Sequence, residues 1–232
     1  MKRYLLKFFP LYMTMAVAFL VVVSAGSRAI TAIAEAQPID RRQVIIIDAG
    51  HGGEDGGASS CTGVLESQIN LEIAMRLNEM CHLLGYETKM IRTTDVSVYT
   101  QGTTLAAKKA SDLKNRVQRV NEEENGILIS IHQNTFADSR YAGAQVFYAA
   151  TPGSQGLAQR LQQQLGAVDP GNHRRAKAAD HVYLLQHIER CGVLIECGFL
   201  SNPEEEAKLR SAEYQKMLCA AIVTALAVYG NT

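Results

Sequence analysis

Tryptophan is absent from the 232 residues, and proline occurs only five times. The missing indoles weaken a lectin that stacks sugars on its rings, although nine tyrosines keep that reading open. With 47% hydrophobic and 20% charged residues, the composition excludes disordered and collagen-like chains, and the lack of any internal repeat excludes a solenoid. An excess of one charge is missing too: 23 Lys and Arg balance 23 Asp and Glu, so nothing marks a nucleic-acid binder or an acidic tail. Cysteine is sparse and odd in number. Cys61, Cys81, Cys191, Cys197 and Cys219 show no Cys-x-x-Cys spacing, which gives neither a complete disulfide framework nor a cysteine zinc site. Buried free thiols are the simpler reading. A chain of this length forms one domain with a sizeable core, so function must reside in a single local site.

The neutrality is uneven along the chain. Lys2, Arg3 and Lys7 precede an uncharged run from Phe8 to Ser27, broken only by Pro10, long enough to span a bilayer with positive charge on the inner side. Residues 1–27 read as a signal anchor or a signal peptide; retention is favoured because Ala32-Ile33-Ala34 lies far beyond the apolar run for ordinary cleavage. Residues 28–42 form a linker, and 43–232 the functional domain. Removing residues 1–37 leaves 19 basic and 22 acidic residues, a mildly acidic domain placed outside the cytoplasm, membrane-anchored or secreted.

From Gln43 onward, short apolar runs alternate with amphipathic stretches. Val44-Ile45-Ile46-Ile47, Tyr86 to Ile91, Ile127 to Ile131, Ala144 to Ala149, Val182 to Leu185 and Gly192 to Cys197 predict six strands. Between and after them, Ile69 to Leu84, Leu105 to Glu124, Ser154 to Leu165 and Ala212 to Tyr229 carry helical spacing, and Asn172 to Asp180 reads as a polar, basic loop. Continuous apolar strands separated by helices imply an α/β fold: a mostly parallel twisted sheet of about six strands with helices on both faces. Ligands in such folds bind beyond the carboxyl ends of the strands.

Three side chains with useful chemistry fall at those ends. His51 follows the first strand within Gly50-His51-Gly52-Gly53, His132 ends the third, and Glu196 ends the last. Two histidines and a carboxylate from separate strands suit zinc, which takes imidazole nitrogen and carboxylate oxygen and keeps a position for water when catalytic. Two acids compete as the third ligand. Glu66 opens the helix after the His51 loop; Glu54 gives a His-x-x-Glu spacing reminiscent of zinc carboxypeptidases, although Glu54-Asp55-Gly56-Gly57 looks like a solvated turn. No His-Glu-x-x-His helix occurs, which excludes thermolysin-type peptidases.

The runs Ile47-Asp48-Ala49-Gly50-His51-Gly52-Gly53, Leu65-Glu66, Ser130-Ile131-His132-Gln133-Asn134 and Leu194-Ile195-Glu196-Cys197-Gly198-Phe199-Leu200-Ser201-Asn202 together resemble the zinc-dependent N-acetylmuramoyl-L-alanine amidases of the amidase-3 type. The resemblance spans about residues 43 to 230. Lys109-Ala110-Ser111-Asp112-Leu113, Arg116-Val117 and Arg174-Arg175-Ala176-Lys177 are most similar to the spore-cortex members. Two departures, Ala49 where the family usually has Pro and Asn125-Gly126 where it commonly has Ala-Asp, remove no ligand.

The resemblance implies that His51, Glu66 and His132 hold Zn²⁺ and that Glu196 is the catalytic carboxylate. The substrate would be peptidoglycan, cut between the lactyl group of N-acetylmuramic acid and the L-alanine of the stem peptide. Similarity to the spore-cortex members implies a part in muramic lactam formation, a location between the membranes of the developing spore, and a protein activator as in some relatives. Asp48 would orient His51 or the backbone of its loop, and Asn134 would support His132 or touch substrate; a turn cap is the bland alternative for each. Arg174 and Arg175, in a basic loop with His173 and Lys177, would contact the acidic stem peptide or else form a solvated surface. Two rival functions remain: a zinc carboxypeptidase on cell-wall peptides using His51, Glu54 and His132, and a non-catalytic anchored adaptor that binds the wall.

Overall fold

A computed structural model describes residues 43–229. The leader at 1–27 and the linker at 28–42 lie outside the described residues. Within them the chain forms β1 (Val44–Ala49), α1 (Glu66–Leu83), β2 (Glu87–Met90), α2 (Leu105–Asn121), β3 (Gly126–Asn134), β4 (Gln145–Tyr148), α3 (Ser154–Val168), β5 (Lys177–Ala178), α4 (Tyr183–His187), β6 (Cys191–Phe199), α5 (Pro203–Leu209) and α6 (Ala212–Tyr229).

The strands assemble in the order β2-β1-β3-β6-β4-β5. All pairs are parallel except β4 with β6, which is antiparallel. The expected α/β architecture is therefore present, with β4 and β5 running opposite to the other four strands. Strand alternation divides the core. Ile45, Ile47, Ile127, Ile129, Val193 and Ile195 face α1, α3 and α6, burying the apolar faces of those helices. Ile46, Leu128 and Leu194 face the other way, toward α2 and α4 with Val120, Leu184 and Leu185. That second parity continues into Asp48, Ser130, His132 and Glu196, so these polar residues extend the α2 face of the sheet beyond its apolar part.

Each helix has a local reason. Ile69, Ile73, Ala74, Leu77 and Cys81 recur at helical spacing on the buried face of α1, and Gly85, at φ 81°, supplies the left-handed turn that ends it. The Thr104 side chain accepts from Ala107 N at 3.2 Å and starts α2. Asn202 caps α5, which has Pro at its first turn.

Several boundaries differ from the sequence reading. The strand expected at Val182 to Leu185 is the start of α4: four apolar residues on a short helix bury as well as they would on a strand, and periodicity cannot separate the two. The loop expected at 172–180 contains the two-residue β5. His132 and Glu196 do not end their strands, which run on to Asn134 and Phe199, and the register between them shifts after His132. All five cysteines are free, but Cys61 is exposed and Cys191 only half-buried, so the buried reading holds for Cys81, Cys197 and Cys219.

Candidate metal centre

The sharp turn after β1 carries His51 at φ 60°, the one non-glycine residue at positive φ among those described. Such strain persists only where the surroundings enforce it. Here they do. Arg116, buried on α2, donates to the Asp48 carboxylate, to the Ala49 carbonyl at 3.0 Å and to the His51 carbonyl at 2.7 Å. Arg92 donates to the carbonyls of Ala49 at 2.8 Å, Gly50 at 3.0 Å and Ser67 at 2.8 Å. Two guanidinium groups thus fasten the loop to the start of α1. Asp48 acts on the backbone of its loop through Arg116 and accepts from Ser130 Oγ at 2.6 Å; it does not reach the His51 ring. Burial would raise the Asp48 carboxyl, but Arg116 and Ser130 outweigh it and hold it below its ordinary range.

His51, Glu66 and His132 converge, with one nitrogen or oxygen from each within 4.8 Å of the others. Glu66 Oε2 lies 3.3 Å from His51 Nε2, and Glu66 Oε1 lies 3.0 Å from His132 Nδ1. Imidazole nitrogen and carboxylate oxygen are the donors zinc takes, and one atom from each of the three lies close enough to the others to close on a single ion. The two rings stand 5.0 Å apart at 72°. Gly50 is required beneath them: a Cβ there would meet His132 Nε2 at 2.1 Å. Gly57 is equally constrained, since its Cβ would meet Glu66 Oε2 at 2.5 Å.

Two of the three, His51 and Glu66, are oriented from behind. His51 Nδ1 is 2.9 Å from Asp55 Oδ2, and the other Asp55 oxygen pairs with Lys109 at 2.7 Å, which leaves Nε2 facing Glu66. Glu66 Oε2 accepts from Ala58 N at 2.9 Å, and Oε1 from Gln133 N at 3.1 Å and Asn70 Nδ2 at 3.2 Å. Burial opposes a charge at Glu66, but both histidines pull its carboxyl far below the ordinary range. Burial likewise opposes a cation at His51, yet Glu66 and Asp55 raise it to about 9.

Glu196 stands beside this cluster, paired with His132 across β3 and β6. Its Oε2 is buried without a hydrogen-bond partner. Burial raises its carboxyl to about 7 despite the pull of His132. A buried carboxylate that shares its proton readily near neutrality, next to two imidazoles and a third acid, has the features of a general base. A cleft of about 310 Å³ opens over His51 and His132, bounded by Lys109 and Leu113 of α2 and by His181 and Tyr183.

The remaining candidates fall elsewhere. Glu54 is exposed and engages Lys108 and Tyr99, away from the histidines, which removes it from the ligand set of the carboxypeptidase reading. Asn134 lies past the register shift, its carbonyl accepting from Leu200 N at 2.8 Å. Arg174 is half-buried against Phe199, whereas Arg175 is exposed and uses its carbonyl to hold Gln145. Sequence reasoning missed Asp55, Asn70 and Arg92. Only Asp55 left a trace, four residues after His51 between two glycine pairs, and there it resembles an ordinary turn residue.

Comparison with known proteins adds a second line of observation. Residues 45–228 match the N-acetylmuramoyl-L-alanine amidase family. The chain is 34% identical over 189 residues to the germination-specific N-acetylmuramoyl-L-alanine amidase of Bacillus subtilis (strain 168), covering 81% of this chain and 79% of that one. Among solved structures it is similar to the CwlD amidase from Clostridioides difficile in complex with the GerS lipoprotein, at 37% identity and TM-score 0.77, covering 81% of this chain and 98% of that one. It is also similar to an N-acetylmuramoyl-L-alanine amidase from Clostridium difficile 630, at 30% identity and TM-score 0.71, covering 82% and 97%.

Proposed function

The chain belongs to the N-acetylmuramoyl-L-alanine amidase family, an enzyme family acting on peptidoglycan, and from that premise we propose a zinc-dependent amidase of the spore cortex. The observation that carries the zinc assignment is the convergence of His51, Glu66 and His132 beside a buried, unpartnered Glu196 oxygen. Bound by these three residues, zinc would act as a Lewis acid on the scissile carbonyl and lower the pKa of a coordinated water. Glu196 takes the proton of the attacking water and delivers it to the L-alanine nitrogen as the bond to the lactyl carbonyl breaks. Its raised pKa serves both halves of that transfer: the anion is available near neutrality, and the acid it becomes is strong enough to protonate a departing amine. Asp55 fixes the His51 ring, while Arg92 and Arg116 hold the loop that carries it.

Two features of the relatives, and the leader of this chain, enter the proposal. The name of the Bacillus subtilis relative supports a role in germination, and with it the preparation of muramic acid for lactam formation. The Clostridioides difficile amidase was solved with a lipoprotein, which supports a protein partner for this chain. Residues 1–27 would tether the enzyme outside the cytoplasm; no helix among the described residues is long and apolar enough to cross a membrane. The test is to replace the gene in a spore former with the Glu196→Ala form: cortex lacking muramic lactam is the expected result, and a normal lactam content would refute the role.

A further inference from the structure

The functional residues are arrayed along one edge of the sheet in strand order. His51 follows β1, His132 lies on β3, Glu196 on β6, and Gln145 opens β4. Because β4 runs opposite to β6, its amino end lies at this edge, and Gln145 pairs directly with Glu196. Residues so paired place their side chains on the same face of the sheet, about 5 Å apart at Cβ. Gln145 is 4% exposed and uses both ends of its amide: Oε1 accepts from Arg174 Nη1 at 3.1 Å, and Nε2 donates to the Arg175 carbonyl at 2.9 Å. Arg174 is secured further by donation from Nε to the Ala142 carbonyl at 2.9 Å and by a face-on contact with Phe199, 4.6 Å from ring centre. These partners are all neutral, so a guanidinium charge is held in place with no counter-ion among the described residues.

We propose that Arg174, positioned by Gln145, binds a carboxylate of the stem peptide on the leaving-group side of the scissile amide, and that Arg175 takes no part. The proposal rests on the amidase reading. Glu196 protonates the leaving nitrogen, so the departing peptide lies over β6 and continues toward β4. Neighbouring strands are about 4.8 Å apart, and an extended residue advances about 3.5 Å. A carboxylate on the residue after L-alanine therefore falls roughly 7 Å from the cleaved nitrogen, one strand spacing plus the offset of a side chain. The planar guanidinium fork matches a carboxylate, and its fixed stacking means little freedom is lost on binding.

The experiment compares two disaccharide peptides that differ only at the residue after L-alanine, one with its free α-carboxylate and one with the carboxamide, as substrates of the zinc-loaded full chain. Wild type should favour the free acid by about 10–100-fold in kcat/KM, the range of one charge-assisted hydrogen-bonded pair. Arg174→Ala and Arg174→Gln should abolish that preference through KM, Gln145→Ala should reduce it, and Arg175→Ala should keep it. A preference retained in both Arg174 variants, or an equal loss on both substrates, would overturn the proposal. Binding of the same two compounds to Glu196→Ala protein separates the readings: no turnover by wild type sinks the amidase, whereas equal affinity for acid and amide sinks the Arg174 site.

Discussion

Asp55 and Glu54 are neighbours with opposite fates. The first turns inward to His51, and the second outward to Lys108. With Glu54 turned outward, Glu66 is the glutamate presented to both imidazoles and the proposed third ligand. Glu66→Ala should therefore abolish retention of zinc through gel filtration while Glu54→Ala retains one equivalent, as read by elemental analysis; the reverse pattern would restore the carboxypeptidase ligand set. At Glu196 the expected effect is on pH dependence. Burial raises its carboxyl to about 7, and a dication held by the adjacent ligands favours the anion and draws that value down. Since the anion is the base, kcat/KM should rise with pH and level off by about 7, and this acid limb should disappear in the residual activity of Glu196→Gln.

The element that matters most is the loop from Ala49 to Gly57, which has almost no apolar content and is shaped by α2 and by Arg92. Asp48 and Arg116 are both nearly inaccessible, at 1% and 2% exposure. Removing one member of such a pair strands the other, at a cost of about 3–5 kcal/mol. Asp48→Asn should lower the urea midpoint accordingly without changing the slope, and a loss below 1 kcal/mol would show that the pair does not hold the loop. The sign with pH follows from the lowered folded-state carboxyl: its contribution is complete above the ordinary value of 3.8 and is lost as pH falls through the folded value. Legibility in the sequence follows the same division. β1, β3 and β6 could be read because buried parallel strands are continuous apolar runs, and His51, His132 and Glu196 because they lie at or near the ends of such runs, whereas Glu66, at the start of a helix, was separable from Glu54 only through the family resemblance. The reversal of β4, the helical state of Tyr183–His187 and the roles of Asn70, Asp55 and Gln145 depend on which elements pack together, which no local pattern encodes.

At the scale of the molecule, zero net charge averages a basic leader with a mildly acidic domain, so the full chain and the chain from residue 38 should behave differently. We expect the full chain to resist alkaline extraction from membranes and the shortened one to be released; equal release would exclude a retained anchor. The domain itself lines up its polar side chains along one sheet edge, with His51 and His132 on the β1 and β3 side, Glu196 on β6 and the Arg174 guanidinium beyond it. The central claim is that this edge hydrolyses the bond between lactate and L-alanine with Glu196 as base. Mass spectrometry of purified muropeptides incubated with zinc-loaded protein tests it most directly. The account predicts free stem peptide beginning with L-alanine and the matching peptide-free disaccharide, both absent with Glu196→Ala; intact muropeptides after incubation with fully zinc-loaded protein and its partner, or cleavage at any other bond, would contradict it.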